Sequence, residues 1–197
     1  AEAVGAAVRH EARGILLTTW GDNGHHQPWP TSWLPMAAGL AQAWGFAANA
    51  KTDFAAGCAI LGGLGDADGQ AVAAALHQLG TLDGRIAKAN RNKSLTWDFL
   101  TAKPDALAKF TDGVTPAEIA ASQAHLAEAE ALVAKIGDAT IRAELSLGAR
   151  LAGAGLRRAL GQPVSAEEQA KLKKEYEGVW HRRSRPGGLT ESVGLLF

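Results

Sequence analysis

Apolar positions in the first ten residues, AEAVGAAVRH, put Val4, Ala7 and Val8 on one face of a helical wheel, which predicts an amphipathic helix. The period then changes. After a short EARG connection, ILLTTW at 15–20 is continuously apolar with β-branched residues, the pattern of a strand covered on both faces. A loop rich in Gly, Pro, His and Trp follows. The helical period resumes over 35–48, with Pro35 in the first turn. Helix, strand, long loop and helix form a stretch of an α/β wheel, with the strand parallel to partners that this chain does not supply.

Beyond about residue 50 the strand pattern stops. Helices are predicted at 53–62 and 68–79. An irregular region at 80–114 holds a short helix around Trp97. The last third is clearly punctuated. TPAE at 115–118 reads as a capping box, with Pro116 in the first turn. Ile119, Leu126, Val133 and Ile136 line one face, and Gly137 ends that helix. Asp138 caps the next helix, which runs to Leu160 and stops at Gly161. Its Gly148, Ala152 and Gly155 form a slim side that another helix can approach closely. SAEE at 165–168 is a second capping box. Leu172, Tyr176, Val179 and Trp180 then form a buried stripe, RPGG at 185–188 terminates the helix, and a short last helix carries Leu189, Val193 and Leu196. The expected result is a three-helix bundle without internal repeats.

Composition narrows the function classes. With 197 residues and 47% hydrophobic content, a packed core is expected. Twenty basic residues balance twenty acidic ones, which argues against nucleic acid or an anionic membrane surface as partner. The one basic cluster, HRRSR at 181–185, reads as a solvated helix end, where Arg182, Arg183 and Arg185 favour the carboxyl terminus electrostatically. No apolar run is long enough to span a membrane, and no signal peptide is visible. The single cysteine, Cys58, reads as a buried, inert thiol.

The chemistry concentrates in GILLTTWGDNGHHQPWP at 14–30. At the carboxyl end of a parallel strand, Trp20 can form an aromatic wall suited to the apolar C–H face of a sugar. Asp22 can accept hydrogen bonds from the hydroxyls on that ring's edge. Gly21 and Gly24 allow the backbone to turn between them. A structural reading stands beside this one: a core Trp at a strand end and an Asp that caps the loop. Asp22, His25 and His26 also suggest a metal site, but adjacent residues in a strand-like loop point apart, and loop bracing is the better assignment. Trp29 and Trp33 either line the pocket rim or seal the loop. Trp44, Trp97 and Trp180 are expected in the core. GDADG at 65–69 begins like a calcium loop, yet its twelfth position, counted from Asp66, is His77 and not Glu.

The segment GILLTTWGDNGHHQPWPTSWLPMAAGLAQAWG resembles the last strand and helix of the catalytic barrel of family-20 glycoside hydrolases, the β-N-acetylhexosaminidases. That family carries a Trp-Gly-acid triplet there, commonly Trp-Gly-Glu, and here it is Trp20-Gly21-Asp22. A bacterial branch with a WGDxGHxQ loop and a W…R.RPGGL ending is the closer match, and Trp180 with RSRPGGL at 183–189 is similar to that ending.

The resemblance implies a mainly α chain: the last β/α unit of a TIM-type (β/α)8 barrel over 1–50, then a C-terminal helical domain over 51–197. It implies a terminal N-acetylhexosaminide as substrate, Trp20 for stacking, Asp22 for sugar hydroxyls, and His25 and Gln27 as lesser contacts. No cofactor and no metal are implied. The helical domain is expected to pack on the barrel or on a second subunit of a homodimer. Family-20 chemistry depends on an adjacent Asp-Glu pair in mid-barrel, and the dipeptide does not occur here. The chain is therefore expected to be the carboxyl-terminal piece of an enzyme and inactive alone. The alternative is a non-catalytic helical interaction module.

Overall fold

The computed structural model of the chain describes residues 2–19, 27–49, 51–90 and 93–197. Among these, all regular structure is helical. The helices are α1 (Glu2–Arg9), α2 (Trp33–Trp44), α3 (Ala55–Gly62), α4 (Asp66–Gly80), α5 (Leu95–Thr101), α6 (Pro104–Thr111), α7 (Pro116–Val133), α8 (Ala139–Ala159), α9 (Ala166–Arg183) and α10 (Leu189–Leu196). Short 3-10 turns occupy Trp29–Ser32 and Leu82–Arg85.

Capping chemistry sets the helix starts of the last third. The Thr115 hydroxyl accepts the Glu118 amide, and the Glu118 carboxylate accepts the Thr115 amide, so the box is closed in both directions. Asp138 Oδ1 accepts the amides of Thr140 and Ile141, both at 2.9 Å, and starts α8. The second box is half made. Ser165 accepts the Glu168 amide, but the Glu168 carboxylate turns to Arg157 instead of its own cap.

Helix α8 is the axis of the molecule. Its Ile141 and Leu145 enter one core cluster with Trp33, Cys58, Val72, Leu76 and Val133. Its Ala149 and Leu156 enter a second with Leu82, Leu95, Phe99, Ile119 and Leu126. Its Leu147 and Leu151 enter a third with Leu172, Tyr176, Val193 and Leu196. One helix with apolar positions on several sides therefore holds α5, α7 and α9 around it.

Several expectations are corrected. Residues 15–19 carry no strand. A parallel strand needs neighbours for its ladder, and the helical surroundings offer none. Leu16 is 86% exposed, while Leu17 lies against Gly39 of α2. Helix α2 begins at Trp33, two residues early, and stops at Gly45. Of the first helix's expected face, only Val4 is buried. Trp44 is not a core residue but 94% exposed. It shares a face with Trp33 three turns earlier, and α2 has by then run past the elements that cover Trp33. Helix α7 ends at Val133, and 3-10-type bonds carry the chain on so that Ile136 is still buried. Helix α6 had no place in the expected irregular region. On the slim side of α8, only Gly155 is a crossing point: a Cβ there would collide with the Thr96 carbonyl oxygen, while one at Gly148 would meet nothing within 4 Å.

Candidate functional site

Helix α9 delivers Leu172 and Tyr176 to the core, and one turn later it delivers Val179 and Trp180 to the edge. Arg183 ends the helix. The following residues fold back on the indole: Trp180 Nε1 donates to the Arg185 carbonyl at 2.7 Å. Gly188 takes φ of 85°, a left-handed conformation that favours glycine. A Cβ at that position would stand 3.6 Å from the edge of the Trp180 ring. Tyr176 backs the indole, with ring centroids 6.1 Å apart. The RSRPGGL stretch thus satisfies the polar edge of Trp180 and sets its plane.

Arg183 turns inward from the same helix end. Its Nε and Nη2 donate to Glu144 Oε1 and Oε2 at 2.5 and 3.0 Å. Glu144 lies in mid-α8 and is 1% exposed. The guanidinium also stands 5.9 Å from the Trp33 ring centroid. The hydrogen bonds to Glu144 outweigh desolvation and raise the Arg183 pKa above the ordinary arginine value. Arg183 does end α9 at an exposed position, as the sequence suggested, and it also pairs with a buried carboxylate.

These groups form one wall of a cleft of about 650 Å³. Thr19, Gln27, Pro28 and Trp29 line it as well. The 3-10 turn that starts at Trp29 is tightened by Thr31 Oγ1, which donates to the Pro28 carbonyl at 2.7 Å, and Trp29 is left 43% exposed. Gln27 and Pro28 also line a smaller and more apolar cleft of about 380 Å³ with Leu79, Leu100, Leu151 and Gly148.

Of the residues singled out for chemistry in the 14–30 stretch, Gln27 and Trp29 reach the cleft. Trp20, Asp22, His25 and His26 lie outside the described residues, but Thr19 and Gln27, which flank them, both line it. Trp33 is a core residue, 2% exposed, and among the described residues its Nε1 has no hydrogen-bond partner. Sequence reasoning missed Tyr176, Trp180 and the Glu144–Arg183 pair as site components. Trp180 had a signal in the RSRPGGL tail. Glu144 had one in being a lone carboxylate within the apolar face of α8.

Both Glu144 oxygens are engaged by Arg183. Burial pushes the Tyr176 phenol above its ordinary pKa, tempered by a hydrogen bond with Ser192. Among the described residues, no group of three or more His, Cys, Asp or Glu side chains is placed to hold a metal ion. No helix there is long and apolar enough to cross a membrane. Comparison of the chain with models of protein families, with curated proteins and with solved structures found no match.

Proposed function

We propose that this chain is the carboxyl-terminal part of a family-20-like glycoside hydrolase acting on terminal N-acetylhexosamine residues. Trp20 stacks on the sugar and Asp22 accepts its hydroxyls, with His25 and Gln27 as further contacts. The acid/base step belongs to an Asp-Glu pair outside this chain, so the chain alone hydrolyses nothing. In this reading, residues 15–20 become the last strand of a (β/α)8 barrel when earlier strands lie beside them. The exposed Leu16 and Leu17 then gain cover.

One observation carries the reading. The resemblance rests on two segments far apart in sequence, the loop after residue 19 and the tail from Trp180. Thr19, Gln27 and Trp29 on one side and Trp180 to Ser184 on the other line a single cleft. Independent segments have no need to meet in this way.

The test is the upstream reading frame. It should encode an Asp-Glu pair and several barrel strands, and the complete protein should cleave an aryl N-acetylglucosaminide. In that protein Trp20→Ala should lower kcat/KM by about a hundredfold, or about 2–3 kcal/mol of transition-state binding. An upstream frame without the pair would defeat the proposal. It would also favour the second reading, a helical interaction module, for which Trp44 and Ile60, 94% and 80% exposed, provide apolar contacts.

A further inference from the structure

We infer that the smaller cleft, between the carboxyl end of α4, α5 and the middle of α8, is a binding site for a neutral, mainly apolar small molecule of aromatic-ring size. The inference stands apart from the family reading, since it concerns the other cleft and needs no upstream chain. It begins with a glycine. Gly148 lies inside α8, where glycine is disfavoured relative to alanine. Close packing accounts for Gly155 in the same helix, because a Cβ there would strike the Thr96 carbonyl. It does not account for Gly148. A Cβ at 148 would meet nothing within 4 Å, and the position lines the cleft. Any larger residue would put its side chain into the space that the chain leaves open. That space is about 380 Å³, within the range of small-molecule sites, about 300–1,000 Å³.

The polar groups around the cleft set the charge of the ligand. Among the described residues, Asp83 is the only ionisable side chain that lines it. That carboxylate is already engaged: Oδ2 accepts the Leu95 amide at 2.7 Å, and Oδ1 accepts the Thr96 hydroxyl at 3.3 Å. Ser94 Oγ and Thr96 Oγ1 lie 2.6 Å apart, and Thr31 Oγ1 donates to the Pro28 carbonyl. These groups serve the start of α5 and the Trp29–Ser32 turn. The walls are otherwise mainly apolar, with Leu79, Leu100 and Leu151 among them. A charged ligand would give up its water here without finding a free counter-charge. A neutral apolar one gains by taking its own surface and that of the leucines out of water.

The test follows the leucine methyl resonances of the carbon-labelled chain during titration with indole, and with tryptamine and indole-3-carboxylate as its cationic and anionic counterparts. Indole should give saturable shifts at Leu79, Leu100 and Leu151. Each charged analogue should bind at least about tenfold more weakly. Gly148→Leu should weaken indole binding at least about tenfold and Gly148→Ala several-fold, and Gly148→Ala should not lower the urea midpoint. Gly178→Leu, at an exposed position of α9 outside the cleft, should leave indole binding unchanged. Gly148→Ala carries the test by itself if the larger side chain unfolds the protein. Absence of saturable shifts, equal binding of the three molecules, or undiminished binding to the Gly148 variants would each overturn the site. None of these outcomes bears on the family-20 reading, which the upstream Asp-Glu pair decides.

Discussion

Arg183 at the last position of α9 grips Glu144 in the middle of α8 with a two-pronged pair, Nε to Oε1 at 2.5 Å and Nη2 to Oε2 at 3.0 Å. The contact ties the carboxyl end of the tail helix to the axis of the molecule and forms part of the cleft wall. Its two members differ in exposure: the Glu144 side chain is 1% exposed and that of Arg183 35%.

That asymmetry predicts unequal mutants. Arg183→Met leaves a buried carboxylate without a partner and should cost about 3–5 kcal/mol. Glu144→Gln leaves a guanidinium that can reach water and should cost clearly less. The double variant Glu144→Leu with Arg183→Met should recover much of the loss, since an apolar pair replaces an ionic one. Urea denaturation of the three variants checks the order. Equal losses for both single variants would mean that the pair does not constrain the fold as described.

Two glycines of α8 should behave oppositely. Gly155→Ala drives a methyl group into the Thr96 carbonyl and should destabilise by about 1–3 kcal/mol by pushing α5 away. Gly148→Ala meets open space and removes a helix-interior glycine, so it should stabilise by up to about 1 kcal/mol. Thermal melts of the two variants provide the comparison.

Glu118 gives a pH dependence. The Ala87 amide, then the Thr115 amide and hydroxyl, hold its carboxyl below the ordinary glutamate pKa. A carboxyl lowered in the fold binds fewer protons there than in the unfolded chain. Its contribution is therefore complete above the ordinary glutamate pKa and is lost as pH falls through the folded value. The stability difference between the protein and its Glu118→Gln variant should be flat near neutrality and shrink toward acid. Urea midpoints of both proteins across that range test it.

Cys58 is fully buried, and burial, with Asp53 adding to it, raises its pKa to about 11. A thiol raised in the fold contributes stability below its unfolded pKa and loses it as pH rises through the folded one. The native protein at pH 8 should resist a thiol reagent, with labelling limited by the rate of opening. Fast labelling would contradict the packing around α3.

His125 has its tautomer set by its neighbours. Gln78 Nε2 and Arg85 Nη2 approach Nδ1 at 2.9 and 3.1 Å, and both are donors. Nδ1 must accept, which places the proton on Nε2, 2.8 Å from the Gln78 carbonyl oxygen. Nitrogen chemical shifts of the neutral imidazole should report the Nε2–H tautomer.

Local rules were legible in the sequence where local chemistry decides. Thr115 with Glu118, and Asp138, cap the helices that their spacing announces, and Leu172, Tyr176, Val193 and Leu196 are buried as periodicity requires. Residues 15–19 show the limit: an apolar run with β-branched side chains signals a strand, but a strand exists only with partners. Trp44 shows another, since a wheel gives the face of a helix and not the length over which that face is covered. Glu168 could not be assigned from its box, because Arg157 competes for the same carboxylate from another helix. Half of the site, the wall of Tyr176, Trp180, Arg183 and Glu144, depends on how α8 and α9 cross, which no local pattern encodes.

The most direct test of the proposed function is the sequence encoded upstream of this chain. The account predicts an adjacent Asp-Glu pair set among several barrel strands. An upstream frame that encodes neither would contradict it.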